Sequence, residues 1–164
     1  MNRIVLLEQL KAFTIEATKD LIMPTRMQKD DTKQGYRAAD VHIMRLPDST
    51  AAAKKTPFII HQLVTGKDIR QPGMPVSSSV LVRSIFSVYN PDEEEGALML
   101  INLMERLRIA LMKQGVIGEC FVVDLETGVE TLIYPDDTAP YYTGEMATTW
   151  ILPAIKREVK ELWQ

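Results

Sequence analysis

The segment SVLVRSIFSVYNPDEEE (residues 79–95) decides the fold of this chain, because it joins a strand pattern directly to a helix start. In residues 79–89 one face of a period-two pattern is mostly apolar (Val80, Val82, Phe86 and Val88) and the other is mixed, which is typical of a β-strand. Residues 90–95 combine cap residues, a proline and three glutamates, which indicate a helix N-terminus. A strongly apolar run follows, and Gly115 is expected to close the helix before the next strand.

The helix start can be capped in two ways, and the sequence does not choose between them. Asn90 can cap with Glu93 at the third helical position, or Asp92 can cap with Glu95. Either way the glutamates lie near the positive end of the helix dipole, where each contributes about 0.3–1 kcal/mol. We predict a central core helix over residues 91–114, with an apolar face formed by Leu100, Ile101, Met104, Leu107, Leu111 and Met112.

The composition of the chain limits the classes of protein to which it can belong. The 164 residues are 46% hydrophobic and 25% charged, which predicts one domain, 1–164, with a real core. The net charge of -3 does not favour nucleic acid or an anionic membrane. Residues 97–103 form the longest apolar stretch, far short of the roughly 20 residues of a membrane span. Charges at Glu8 and Lys11 argue against a signal peptide, and Cys120, the single cysteine, suits a reducing cytoplasm.

The N-terminal third predicts a helix, a loop and two strands. Apolar residues spaced three and four apart predict an amphipathic helix over 2–22, which Pro24 ends. The polar segment 24–36 is predicted to be a long loop. Residues 36–46 and 58–64 follow as strands, and we expect them to form an antiparallel pair.

The remaining segments predict a second long loop, a hairpin and a final strand. Residues 65–78 hold two glycines and two prolines and are predicted to be a loop too long for a tight hairpin. Residues 116–125 and 129–134 flank Glu126-Thr127-Gly128 and predict a β-hairpin. The last strand is expected over 141–152, before a charged tail at 153–164 whose residues 156–163 are a terminal helix or an extended tail.

Details of the last strand follow from its alternation. Tyr142, Met146 and Trp150 share one face, Gly144 indicates a bulge or a close backbone approach, and Pro153 is expected to stop the strand. The predicted fold class is therefore α+β, a mixed and mainly antiparallel sheet with the central helix and the N-terminal helix packed on it.

No residue pattern indicates catalysis or a cofactor. His42 and His61 lie in predicted strands without a second ligand at metal spacing, so we interpret them as ordinary strand histidines. Cys120 lies in an apolar strand with nothing adjacent to lower its pKa, which favours a buried inert thiol. Asp136-Asp137 resembles a cation site only faintly, because paired aspartates beside a proline usually form a turn. We expect no enzyme activity and no cofactor.

Two segments carry a family resemblance. They are VRSIFSVYNPDEEEGALMLINLMERLRIALMKQG (82–115) and PYYTGEMATTWILPAIKRE (140–158). In the order helix, strands, long loop, capped helix, hairpin and last strand, the chain resembles phage tail-completion proteins, in particular the tail terminators of long-tailed phages, prophages and phage-tail-like particles. The resemblance spans residues 36–158 and lies in the order of the predicted elements and in their residue patterns.

The resemblance implies a small α+β protein without a cofactor. Such proteins form hexameric rings on the last ring of the tail tube, stop its polymerisation and join the head connector; in contractile relatives they also meet the sheath. It implies a virion protein assembled in the host cytoplasm, with itself, a tube protein and a neck or connector protein as partners. No nucleic-acid sequence recognition and no membrane contact are expected.

The implied ring needs two different contact patches on each subunit, because heterologous contacts that close generate rings. We place them on the strand 141–152 and on the exposed side of 97–112. The segments 25–37 and 65–78 are the candidates for axial contacts with tube or connector. The candidate interface residues are Arg26, Lys29, Lys33, Arg37, Lys67, Arg70, Met74, Tyr141, Tyr142, Glu145 and Trp150.

Two alternatives remain open at this point. The first is a different neck component, such as a head-tail joining or stopper protein, which also forms rings and is hardly separated from a terminator by sequence. A small ligand-binding or enzymatic α+β domain would instead use His42, His61 or Asp136, and it predicts a deep pocket lined by those residues.

Overall fold

The computed structural model describes residues 2–47, 55–135, 138–156 and 158. These residues form two helices packed on a mainly antiparallel sheet, which confirms the predicted α+β fold class. The helices are α1 (Arg3–Thr18) and α2 (Glu93–Gln114), and the strands are β1 (Met23–Pro24), β2 (Tyr36–Arg37), β3 (Asp40–Ile43), β4 (Phe58–Ile69), β5 (Val76–Tyr89), β6 (Val116–Ile117), β7 (Phe121–Val123), β8 (Val129–Ile133) and β9 (Tyr141–Ile155).

Seven of the strands within the described ranges form one sheet, and β1 pairs with β2 separately. The sheet order is β3-β4-β5-β9-β7-β6, with β8 beside β9 as well. Its longest ladder joins β5 to β9, from Tyr89 opposite Tyr141 to Val76 opposite Ile155. The last strand of the chain is therefore at the centre of the sheet.

The core lies between the two helices and one face of this sheet. Burying each large apolar side chain there contributes about 1.5–3 kcal/mol. The predicted inner face of β5 is confirmed, since Val80, Val82, Phe86 and Val88 are all buried. The helices and β9 supply most of the opposing side chains: Leu6, Leu10, Leu100, Leu103, Leu107, Leu111, Met146 and Trp150.

The start of α2 is capped by Asp92, which decides between the two alternatives. Its side chain accepts a hydrogen bond from the backbone N–H of Glu95 at 2.9 Å. Asn90 instead shapes the preceding turn, because its side chain accepts from the N–H of Asp92 at 2.9 Å. At the other end α2 closes at Gly115, as predicted, and Gly115 adopts φ 68° and donates its N–H to the carbonyl of Leu111.

Replacing Asp92 by alanine is expected to lower the free energy of unfolding by about 1 kcal/mol, because it leaves helix N–H groups without an acceptor. Asp92→Asn is the matched control: it keeps the accepting oxygen and should cost less than half as much. Urea unfolding followed by circular dichroism measures both. Equal losses for the two variants would show that charge, and not capping, is what Asp92 contributes.

Two predicted strand pairings are wrong. Strands β3 and β4 run parallel, with Val41 opposite Ile59, where the sequence predicted an antiparallel pair over 36–46 and 58–64. The connection over 44–57 allows this, because it reaches the dozen or so residues that a parallel crossover needs. Strands β7 and β8 do not form a hairpin with each other. Both pair with β9, β7 near Trp150 and β8 farther along the same side.

Several predicted boundaries also differ. Helix α1 ends at Thr18, not at 22, and Pro24 lies in β1. The predicted loop 65–78 is mostly strand, because β4 continues to Ile69 and β5 begins at Val76 around a short turn. The final strand passes through Pro153 to Ile155, at a point where its ladder with β5 shifts register and the missing proline N–H is tolerated.

Other predictions fall partly outside the described residues. Asp136 and Asp137 lie there, as do 48–54, Arg157 and 159–164, so the predicted terminal helix or tail has no structural outcome. The close approach at Gly144 is confirmed, and the ladder there has no bulge. A Cβ at this position would be 2.8 Å from Met104 Sδ and 3.0 Å from the carbonyl oxygen of Leu132.

Candidate protein-interaction surfaces

His61 is a buried structural group between α1 and β5. Its Nε2 lies 2.8 Å from Thr14 Oγ1, and its Nδ1 lies 2.7 Å from Ser84 Oγ. The Thr14 hydroxyl donates its proton to the carbonyl of Leu10, so it accepts from Nε2–H. The Ser84 hydroxyl then donates to Nδ1. Burial lowers the pKa of His61 to about 3, so the ring stays neutral and joins helix to sheet.

The other groups considered for chemistry are dispersed. His42 is half-buried, and burial is the main cause that lowers its pKa, against the opposing charge of Asp40. Cys120 is half-buried against the edge of the core. Within the part of the chain that the structure describes, no three His, Cys, Asp or Glu side chains are grouped to hold a metal ion. No helix in that part is long and apolar enough to cross a membrane.

A cavity of about 420 Å³ lies at the N-terminus of α1. Its charged groups are paired with each other, since Arg3 and Asp68 form an ion pair at 3.0 Å and Ser78 donates to Asp68 at 2.6 Å. Neither His42 nor His61 lines this cavity. Its wall consists of Asn2, Arg3, Ile4, Asp68, Ser78, Leu152, Pro153 and Ile155.

The two segments predicted to make axial contacts lie at opposite ends of the domain. Strand β4 begins at Phe58 beside Asp40 and runs to Ile69, a rise of roughly 36 Å at about 3.3 Å per residue. The loop 25–35 leaves the β1–β2 pair at the Asp40 end, because Arg37 is joined by a salt bridge to Asp40. The turn 70–75 is at the other end. We call these the loop end and the hairpin end.

Most of the basic residues predicted at these ends face solvent. Arg26, Lys29 and Lys33 are exposed at the loop end. Arg37 is different, since its guanidinium pairs with Asp40 at 2.5 Å and also donates to the carbonyl of Lys55. It holds the base of the loop. At the hairpin end the exposed candidates are Lys67, Arg70 and Met74.

The candidates on β9 divide between its two faces. Tyr141 is half-buried on the face away from the helices, with its ring 5.5 Å from that of Tyr89. Glu145 lies on the same face and accepts a hydrogen bond from Tyr134 at 2.8 Å. Tyr142 is half-buried against the helix side of the core. Trp150 is completely buried, so its prediction as an interface residue is wrong.

On the side of the sheet away from the helices, Leu46, Phe58 and Ile60 form a small second core with Ile85 at its edge, and the described residues leave the rest of β5 and β9 largely uncovered. Ile85, Arg83 and Leu81 of β5 lie opposite Glu145, Ala147 and Thr149 of β9, and all six are half-buried or exposed. Together with Thr143 and Ile151 they form what we call the open sheet face. Its small residues, such as Ala147 and Thr149, could not be predicted from the sequence, because their exposure depends on what packs over them and not on their type.

The second patch is an apolar stripe on α2. Leu98, Ile101, Ile109 and Met112 are 40–60% exposed, and we call them the α2 outer stripe. Glu105 and Arg108 lie between them and form a bidentate ion pair, in which Nε and Nη2 of the guanidinium each lie 2.7 Å from a carboxylate oxygen. That pair leaves the apolar side chains as the main groups on this surface available to a partner.

No protein-family model and no curated protein matches this chain. The surfaces are therefore interpreted from their own geometry. The open sheet face and the α2 outer stripe lie on opposite sides of the helix–sheet layers, because the helices pack on the other face of β5 and β9. The domain thus carries two different patches facing in opposite directions.

Proposed function

We propose that this chain is a structural phage protein that caps the tail tube as a ring, stops tube polymerisation and provides the surface for head or neck attachment. The observation that carries the proposal is the arrangement of four surfaces on one small domain. Two contact patches face opposite sides, and two projecting segments lie at opposite ends. A ring subunit between two other components requires such an arrangement.

The ring contact joins the α2 outer stripe of one copy to the open sheet face of the next. This contact is heterologous, since the two patches differ, and it closes into a ring when each copy is rotated relative to its neighbour. Ile101 and Met112 supply apolar area, while Ala147 and Thr149 leave room for them on the sheet. The resemblance to tail terminators supplies the expectation of six copies.

The loop end and the hairpin end then face along the ring axis. One contacts the tail tube protein, and the other contacts the neck or connector protein, with the sheath as a further neighbour in a contractile tail. Exposed basic residues at both ends (Arg26, Lys29, Lys33, Lys67 and Arg70) suit acidic partner surfaces.

Replacing Ile101 by aspartate is expected to dissociate the ring, because it places a charge in the centre of an apolar contact. The wild-type protein should sediment as a closed oligomer, alone or with tube protein, and the variant as a much smaller species. Ile4→Asp is the matched control: Ile4 is 65% exposed on α1, outside the α2 outer stripe and the open sheet face, and the substitution should leave the mass of the protein measured alone unchanged.

A wild-type protein that stays monomeric with tube protein present would overturn the ring. The partner can be tested separately, by capture on immobilised tube or portal protein. Binding to portal and not to tube would assign the chain to the alternative, a head-tail joining or stopper role.

A further inference from the structure

Strand β8 is an edge strand among the described residues. It pairs with β9 from Val129 opposite Thr148 to Ile133 opposite Gly144. Within the described ranges, no strand pairs with its other side. Leu132, Ile133 and Tyr134 are 40–52% exposed there. Exposed apolar edges are usually protected by several charged side chains, by proline or by a bulge, and β8 has only one such residue, Glu130.

The ladder with β9 determines which backbone groups of β8 are free. Tyr134 donates its N–H to the carbonyl of Thr143 at 3.1 Å, which continues the β8–β9 register. Because bonding alternates along an antiparallel strand, even-numbered residues bond to β9. Val129, Thr131 and Ile133 therefore direct three N–H and three C=O groups away from the sheet.

We propose that β8 pairs antiparallel with β8 of a second copy, with Thr131 on the two-fold axis. Val129 then lies opposite Ile133 of the second copy, and Thr131 lies opposite its own equivalent. In this register every outward N–H finds an outward C=O, three from each copy and six bonds in all. One sheet continues through both molecules.

Two neighbouring registers are less favourable for reasons that the sequence of β8 supplies. An axis at Glu130 places the two carboxylates directly opposite each other, which is destabilising. An axis at Leu132 places Pro135 opposite Val129, and proline has no N–H to donate. The axis at Thr131 avoids both, since Glu130 lies opposite Leu132 and its carboxylate can extend to solvent.

Replacing Thr131 by proline tests the pairing directly. Its N–H points away from β9, so the substitution removes an intermolecular donor and leaves the β8–β9 bonds in place. In the Ile101→Asp background, which removes the proposed ring contact, light scattering over a concentration series should show a twofold lower mass when Thr131→Pro is added. Thr131→Val in the same background is the matched control, because it keeps the N–H and the branched side chain, and it should leave the mass unchanged. An unchanged mass in Thr131→Pro would overturn the proposal.

Cross-linking tests the register. Opposed residues of a hydrogen-bonded antiparallel pair have Cα atoms about 5.5 Å apart, within the range of a disulfide. In a Cys120→Ser background, Thr131→Cys should form a covalent dimer under mild oxidation at least tenfold faster than Glu130→Cys. Equal rates would overturn the axis at Thr131. The pairing does not depend on the proposed ring, since Ile101→Asp and Thr131→Pro alter different surfaces.

Discussion

Replacing Trp150 by alanine is expected to destabilise the protein by about 3–5 kcal/mol, the largest effect of a single substitution that we predict. Trp150 is completely buried in the middle of β9 and faces the helices. Its indole N–H donates to Thr148 Oγ1 at 2.9 Å, so truncation leaves a cavity and removes the partner of a buried hydroxyl.

Urea unfolding measures this loss, and Ile151→Ala is the matched control. Ile151 is the next residue of the same strand but lies on the open sheet face, where it is 41% exposed. Its truncation should cost about 1 kcal/mol or less. Full stability in Trp150→Ala together with loss of assembly would instead place Trp150 in an interface, as the sequence had predicted.

The second large effect is a pH dependence that comes from His61. Its pKa is about 3 in the folded protein and 6.5 when unperturbed, so at intermediate pH the unfolded chain binds a proton that the folded chain does not. The stabilisation is therefore present above pH 6.5 and is lost as the pH falls toward 3. Between pH 7 and pH 5 the loss should be about 2 kcal/mol.

Comparing variants isolates this contribution from other titrating groups. His61→Gln cannot be protonated, so its free energy of unfolding should fall by about 2 kcal/mol less than that of the wild type between pH 7 and pH 5. His42→Gln is the control. Its free energy of unfolding should keep most of the wild-type dependence on pH, because His42 is only half-buried. If the free energy of unfolding changed with pH by the same amount in the wild type and in His61→Gln, His61 would not be buried as a neutral ring.

Local signals predicted the central strand and the limits of α2 well, but Ile101 and Met112, which were predicted on the core face of the helix, are exposed. The alternation of β5 correctly identified Val80 and Phe86 as core, and Gly115 correctly ended α2. These features depend on residues close in sequence. The choice between Asn90 and Asp92 as cap was not predictable, because both side chains satisfy the same spacing and the turn before the helix decides which is free to cap.

Pairings between distant strands were predicted poorly. The turn after Asp124 forms as expected, with Thr127 donating to its carboxylate at 2.6 Å, but it carries the chain along the edge of β9. Nothing in residues 116–134 reveals that β9 will be their partner. The outer half of β4 was missed because both of its faces are exposed there, so Thr65 to Ile69 show no apolar alternation.

The candidate surfaces were predictable only in part. The sequence predicted contacts on the last strand and on the outer side of α2, and these are exposed on opposite sides of the domain. It assigned Trp150 to the contact because an exposed and a buried aromatic residue look alike in a strand pattern. The free edge of β8 was not anticipated, since a predicted hairpin with β7 would have covered it.

The central position of β9 has a consequence for biosynthesis. Translation delivers β4, β5 and α2 first, and the strand that joins β5 to β7 and β8 is made after all of them. Until then β5 has no partner on one side, and the apolar faces of β5 and α2 lack their principal cover. Ribosome-bound intermediates that end before residue 141 should therefore depend on chaperones.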